Sequence, residues 1–183
     1  MPSLFQFARR LVYSQTTDGP TVTANATESL ITNDIVFNPD SLKVGDVIKA
    51  TLCGKVSNAV TTPGTLRLRA RLGAASLTGT TIADSGTMLQ NTAVQTDKAW
   101  RWEQYWAIRA AGTSGSIISI GTIHRGNADV SAIVAPDLIP ATFVGSNTVN
   151  TTIANTLSFT ATWDVATASI TCLIYILEHY LYA

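Results

Sequence analysis

Trp100-Arg101-Trp102-Glu103-Gln104-Tyr105-Trp106-Ala107-Ile108-Arg109 is the stretch whose reading decides the fold. Side chains of a strand point to opposite faces in alternation. Read that way, Trp100, Trp102, Gln104, Trp106 and Ile108 share one face. Arg101, Glu103, Tyr105, Ala107 and Arg109 share the other. At helical spacing the same tryptophans would scatter around a cylinder. The stretch reads as a long strand whose aromatic face lines a core, since clustered tryptophans beside an isoleucine more often pack inside than stack on a sugar.

The rest of the chain follows the same logic. Leu66, Leu68, Ala70 and Leu72 alternate with Arg67, Arg69 and Arg71, a half-buried strand by strict period two. Glu28 to Phe37 reads as extended and ends at the turn cluster Asn38-Pro39-Asp40-Ser41. A second turn at Leu42 to Asp46 leads into a long strand from Val47 to Ser57, and Pro63-Gly64 makes the next break. Thr80 to Ala83 precedes an Asp84-Ser85-Gly86 turn, and Gly112 to Gly115 is the loop of a hairpin that continues through Ser116 to His124.

Asn127 to Asn150, with Pro136 and Pro140, reads as a long loop with short extended pieces. Thr156 to Asp164 and Ser169 to His179 read as a closing antiparallel pair joined around Val165 to Ala168. The last of these is apolar on both faces, which requires a cover on each side. One cover is a second sheet; the other is a neighbouring subunit. About eight strands without a convincing helix predict an all-β, antiparallel two-sheet β-sandwich of jelly-roll type. Residues 26–183 form that single domain, and residues 1–25, which fit none of the strand pattern, form an N-terminal arm.

Composition bounds the partners. The 183 residues suffice for one domain with a full core. Only 13% are charged, about half the usual share, and threonine is the commonest residue. Strand-rich proteins protect their edges with charge, so this scarcity implies that neighbours cover part of the surface. Twelve basic residues balance twelve acidic ones, which argues against nucleic acid as a partner. The longest apolar run, Ile170 to Leu177, is too short to span a bilayer, and the N-terminus lacks the apolar stretch of a secretory signal. Cys53 and Cys172 fall inside strands and read as free, buried thiols of a protein made in a reducing cytoplasm.

Catalytic chemistry finds no complete set. Asp84-Ser85-Gly86 after an apolar strand is the form in which aspartic proteases present their acid, but that chemistry needs a second carboxylate sharing the proton. Asp and Ser before Gly are also ordinary turn residues. The two histidines, His124 and His179, lie at strand ends, without a Gly-x-Ser-x-Gly elbow or paired metal-ligand spacing. No enzyme activity, metal or cofactor is expected. Asn25-Ala26-Thr27 and Asn150-Thr151-Thr152 match the glycosylation pattern but carry almost no weight in so threonine-rich a chain.

The succession Ser41-Leu42-Lys43-Val44-Gly45-Asp46-Val47-Ile48, Leu66-Arg67-Leu68-Arg69, Thr81-Ile82-Ala83-Asp84-Ser85-Gly86, Trp100-Arg101-Trp102-Glu103 and Gly112-Thr113-Ser114-Gly115-Ser116 resembles small structural proteins of tailed bacteriophages. The likeness is one of pattern over residues 28–125. It implies a jelly-roll virion protein, made in the host bacterial cytoplasm, that assembles as a homotrimer. The expected role is head decoration (cement) on the major capsid protein; the alternative is a tail or fibre component with a receptor- or carbohydrate-binding role.

Two groups of side chains are the candidate capsid or intersubunit contacts. Phe5, Phe7, Arg9 and Arg10 belong to the N-terminal arm, whose apolar residues a free arm should not expose. Arg67, Arg69 and Arg71, with Arg101 and Arg109, form a basic stripe if their two strands are neighbours. That stripe is either a solvated outer face with Glu103 as a cross-strand partner, or a patch whose guanidinium forks meet the carboxylates of another chain.

Overall fold

The computed structural model describes residues 8–23, 26–58, 64–90, 94–125, 138–139 (backbone only), 146–164 and 167–181. Among these residues there are fourteen strands and no helix. They are β1 (Ala8–Ser14), β2 (Val22–Thr23), β3 (Ser29–Leu30), β4 (Ile35–Phe37), β5 (Val47–Asn58), β6 (Thr65–Gly73) and β7 (Thr80–Asp84). The second half supplies β8 (Met88–Leu89), β9 (Gln95–Ala110), β10 (Gly115–Arg125), β11 (Leu138–Ile139), β12 (Ser146–Val149), β13 (Asn155–Trp163) and β14 (Ala168–Leu181).

Every pairing is antiparallel. An eight-stranded sheet runs β1-β14-β5-β9-β10-β11, with β2 also on β14 and β12 also on β10. A six-stranded sheet runs β3-β13-β6-β7, with β4 on β13 and β8 on β6. The chain crosses between sheets at β2–β3, β4–β5, β5–β6, β8–β9, β12–β13 and β13–β14. Each crossing lets an alternating strand turn its apolar face to the same interior, which makes the molecule a two-layered β-sandwich.

Alternation along β9 is borne out: Trp100, Trp102, Trp106 and Ile108 are buried, while Arg101, Tyr105 and Arg109 are exposed. Phe159, on the inner face of the opposite sheet, is the hub of the core. The Trp102 and Tyr175 rings meet it edge-on at 5.3 and 5.2 Å, and the Trp106 ring lies tilted to it at 5.9 Å. Edge-on contacts suit the ring quadrupoles, and aromatic side chains of this size dominate the energy of a core. Gln104 enters the same interior fully buried, so its polar atoms need partners. Trp102 Nε1 donates to its Oε1 at 3.1 Å, and its amide donates to Ser119 Oγ at 2.6 Å. Gly121 makes room: a Cβ there would sit 2.1 Å from the Gln104 oxygen.

Four expectations are corrected. First, β13 and β14 do not pair; they lie in opposite sheets, and the chain arches between layers after Trp163. Alternation shows which face is apolar but not which sheet a strand joins. Second, the two-sided apolarity of the last strand comes from a β-bulge. The register slips between Cys172 and Ile174, so Ile170 and Cys172 face inward before it, and Tyr175 and Leu177 after it. One extra residue exchanges the faces of a strand. Ile174 therefore emerges on the outer face, 51% exposed. Gly54 lies opposite the bulge, where a Cβ would fall 1.9 Å from the Thr171 carbonyl oxygen.

Third, Glu28 to Phe37 is two short strands rather than one, separated at Ile31–Asp34. Fourth, the arginines of β6 and those of β9 are not neighbours, since β6 and β9 belong to different sheets. At the N-terminus, β1 and β2 run consecutively along β14 of the same chain, bridged by Gln15 N–H to the Tyr175 carbonyl and Gly19 N–H to the Cys172 carbonyl. Residues 1–7, with Phe5 and Phe7, lie outside the described residues, as does most of 127–150, of which β11 and β12 are described.

Candidate functional site

The sandwich offers two outer faces, and each holds part of the expected basic stripe. On the six-stranded sheet, Arg67, Arg69 and Arg71 project outward between two carboxylates that sequence reasoning did not pair with them. Arg71 grips Glu28 with Nε and Nη2, both at 2.7 Å, and Arg69 Nη1 reaches the same carboxylate at 3.0 Å. Arg67 Nε donates to both oxygens of Asp84, at 2.8 and 3.0 Å, with Nη2 closing the fork, and Arg69 Nε adds a bond at 3.2 Å. Thr160, beside Arg69 in the ladder, donates to Glu28 at 2.5 Å.

Burial would raise both carboxyls, but the guanidinium bonds and charges overcome it. Arg71, Thr160 and Arg69 hold Glu28 below its ordinary range; Arg67, the Gly86 N–H and Arg69 do the same for Asp84. The same bonds raise Arg67 and Arg71 further. Ser158 and Thr160 beneath this lattice are fully buried. The stripe is thus a roof of internally paired charge, three guanidiniums on two carboxylates, that covers the centre of its sheet. Exposed apolar residues on this face, Val36 and Leu89, sit at opposite ends, on β4 and β8.

The outer face of the eight-stranded sheet is different. The ladder registers align Leu11, Glu178, Lys49, Tyr105 and Ile120 in one row across β1, β14, β5, β9 and β10. The next rows hold Ile176, Thr51, Glu103 and Thr122, then Ile174, Cys53, Arg101 and His124. Leu11 is 60% exposed, Ile120 54% and Tyr105 38%. Arg9 pairs with Glu178, while Glu103 is shared by Arg101 at 2.7 Å and Lys49 at 3.6 Å. The Lys49 ammonium also lies 5.5 Å from the Tyr105 ring centre, in cation–π range. An open depression of about 350 Å³ lies at one end of the face, lined by Cys53, Trp100, Arg101 and His124 among others.

Of the expected contact residues, Arg9, Arg101 and Arg109 are exposed on or beside this face, Arg10 is exposed on the adjoining edge strand, and Arg67, Arg69 and Arg71 lie on the opposite side of the molecule. Alternation could assign Tyr105 and Ile120 to the outer face; only the strand order β14-β5-β9 could bring Ile174 and Glu178 beside them.

The side chains considered for catalysis have other engagements. Asp84 is held ionised by two guanidiniums, the reverse of a carboxyl that shares its proton with another acid. His124 is exposed; His179 is buried, with Nε2 2.9 Å from Asp46 Oδ2 and the Phe37 ring edge-on to it. Asp46 also accepts the Lys43 N–H at 3.0 Å, so the pair ties the 38–46 loop to β14. Both cysteines are free. Burial pushes the Cys172 thiol up to about 12, and it also raises Cys53, which is half-buried. Trp100, Trp102 and Trp106 point inward and present no platform for a sugar.

Among known proteins, neither a family model nor a curated protein matches this chain.

Proposed function

We propose that this chain is a non-enzymatic structural subunit of a tailed-bacteriophage virion, a decoration protein that binds the outer surface of the head lattice as a homotrimer. The observation that carries the reading is the open outer face of the eight-stranded sheet, where Leu11, Tyr105 and Ile120 stand exposed in one row and Ile174 two rows away. Apolar side chains gathered on one sheet face favour contact with another molecule. The sequence pattern over residues 28–125 supplies the phage context. In this reading the two-sheet sandwich is of jelly-roll type, and the N-terminal segment with Phe5, Phe7, Arg9 and Arg10 is a second anchor to its neighbours.

Such a subunit works by burying surface across several lattice neighbours. A stable contact takes about 800 Å² per partner, and repetition over a shell strengthens binding by avidity. Against the tail or fibre alternative stands the burial of the tryptophans, which such a glycan-binding module would display. The test is mass measurement of the purified chain in dilute solution together with its copy number in purified particles. A trimer and hundreds of copies are expected. A monomer sinks the trimer, a handful of copies moves the protein to the tail, and absence from particles refutes the virion role.

A further inference from the structure

The outer face of the eight-stranded sheet also has an unbalanced charge. Five cations rise from it or its rim: Arg9, Lys49, Lys55, Arg101 and Arg109. Three carboxylates answer them: Glu178 takes Arg9, Asp97 takes Lys55 at 3.4 Å, and Glu103 is divided between Lys49 and Arg101. Arg109 has no ion pair among the described residues. Two positive charges remain over, on a face where the apolar side chains stand between them. The opposite face leaves a smaller surplus, three arginines to two carboxylates, and each of those arginines is already bound to Glu28 or Asp84 in the lattice.

Resting on the reading above, we infer that the outer face of the eight-stranded sheet is the side that meets the lattice, and that its occupant is a protein surface bearing carboxylates among apolar residues. The match is one of charge: carboxylates of the partner take up Arg101 and Arg109, while its apolar groups cover Tyr105, Ile120, Leu11 and Ile174. Nucleic acid fits less well, because two surplus positive charges are too few to neutralise the run of phosphates that such binding takes. A second copy of the chain fits less well too. Among its described carboxylates Glu28 and Asp84 are bound to arginines, Asp46 is buried on His179, Asp34 and Asp164 take Ser158 and Thr65, and Asp97, Glu103 and Glu178 already hold cations of this same face, which leaves exposed Asp18 and Asp40 in separate loops.

Two measurements test the inference. In the first, the purified chain binds immobilised poly-L-glutamate, and the exposed double variant R101E/R109E weakens binding at least tenfold, while V36S on the other sheet leaves it unchanged. An unchanged double variant overturns the inference. So does tighter binding to duplex DNA or to phosphatidylserine vesicles than to polyglutamate, or self-association abolished by the same variant, each of which assigns another occupant. In the second, hydroxyl-radical labelling compares the free chain with the chain in purified particles. Protection of Tyr105 and Leu11 but not of Leu89 is expected; the reverse overturns the assigned face and leaves the virion role standing. If particles lack the chain, the virion role fails, and the polyglutamate measurement still decides the face.

Discussion

Replacing Phe159 by alanine probes the claim that one ring joins the two layers. Phe159 is fully buried and touches Trp102, Trp106 and Tyr175, contributed by two different strands of the facing sheet. Removing a buried phenylalanine ring costs about 3–5 kcal/mol, and the cost is highest where the surroundings collapse least. The neighbours here are three rigid rings on two hydrogen-bonded strands, so collapse would require one sheet to approach the other. We therefore place the loss near 4 kcal/mol. For a chain of this size each kcal/mol shifts Tm by about 2–4 °C, which gives a fall of about 8–16 °C. Thermal unfolding followed by tryptophan fluorescence reads it directly, because Trp102 and Trp106 report from the site itself. Val36→Ala, at a residue 61% exposed, should move Tm by less than about 2 °C. A Phe159→Ala shift below about 3 °C would refute the idea that this ring couples the sheets.

Other expectations follow from single positions. Gly54→Ala should destabilise strongly, since its Cβ would strike the Thr171 carbonyl, whereas Gly86→Ala meets open space and carries only the cost of φ +65°, about 1–2 kcal/mol; equal urea midpoints would contradict this. Glu28 and Asp84 titrate below their ordinary values of 4.5 and 3.8, so the unfolded chain binds more protons and stability falls as pH drops through that region. Urea midpoints measured from pH 6 to pH 3.5 should decline, less steeply in Glu28→Gln; a rise on acidification would show that the lattice does not stabilise the fold. Cys172, pushed up to about 12, should resist a disulfide reagent at pH 8 in the folded chain, with Cys53 the faster of the two; prompt modification of both would mean that β14 opens.

Much of the fold was legible because period two is a strong signal wherever one face is buried and the other is wet. Residues 66–72 and 100–109 needed no structure to assign their faces. What could not be read was lateral. The pairing of a strand depends on crossings between layers, and the arch after Trp163 leaves no mark that distinguishes it from a hairpin. The bulge at β14 was hidden for a related reason: a slip of one residue in an apolar run looks like a strand greasy on both sides. The arginine row was visible, but its partners were not. Glu28 precedes a two-residue strand and Asp84 ends a short one, and only β3-β13-β6-β7 packing delivers them to the same guanidiniums. Tyr105 and Ile120 were assignable to an outer face from alternation, while the surplus of charge around them depended on the order of strands from opposite ends of the sequence.

The place of β14 in its sheet has a consequence for how the chain reaches its native state. It is the last described strand to leave the ribosome, yet it lies between β1 and β5, among the first. Until it arrives, the flank of β5 stands open and the N-terminal segment has nothing to lie against. Closure of such distant pairings is slow, and unpaired edges recruit other chains while they wait. A nascent polypeptide of this kind holds a vacant slot beside β5 until β14 emerges, and crowding by sister chains during that interval is the hazard its maturation must escape.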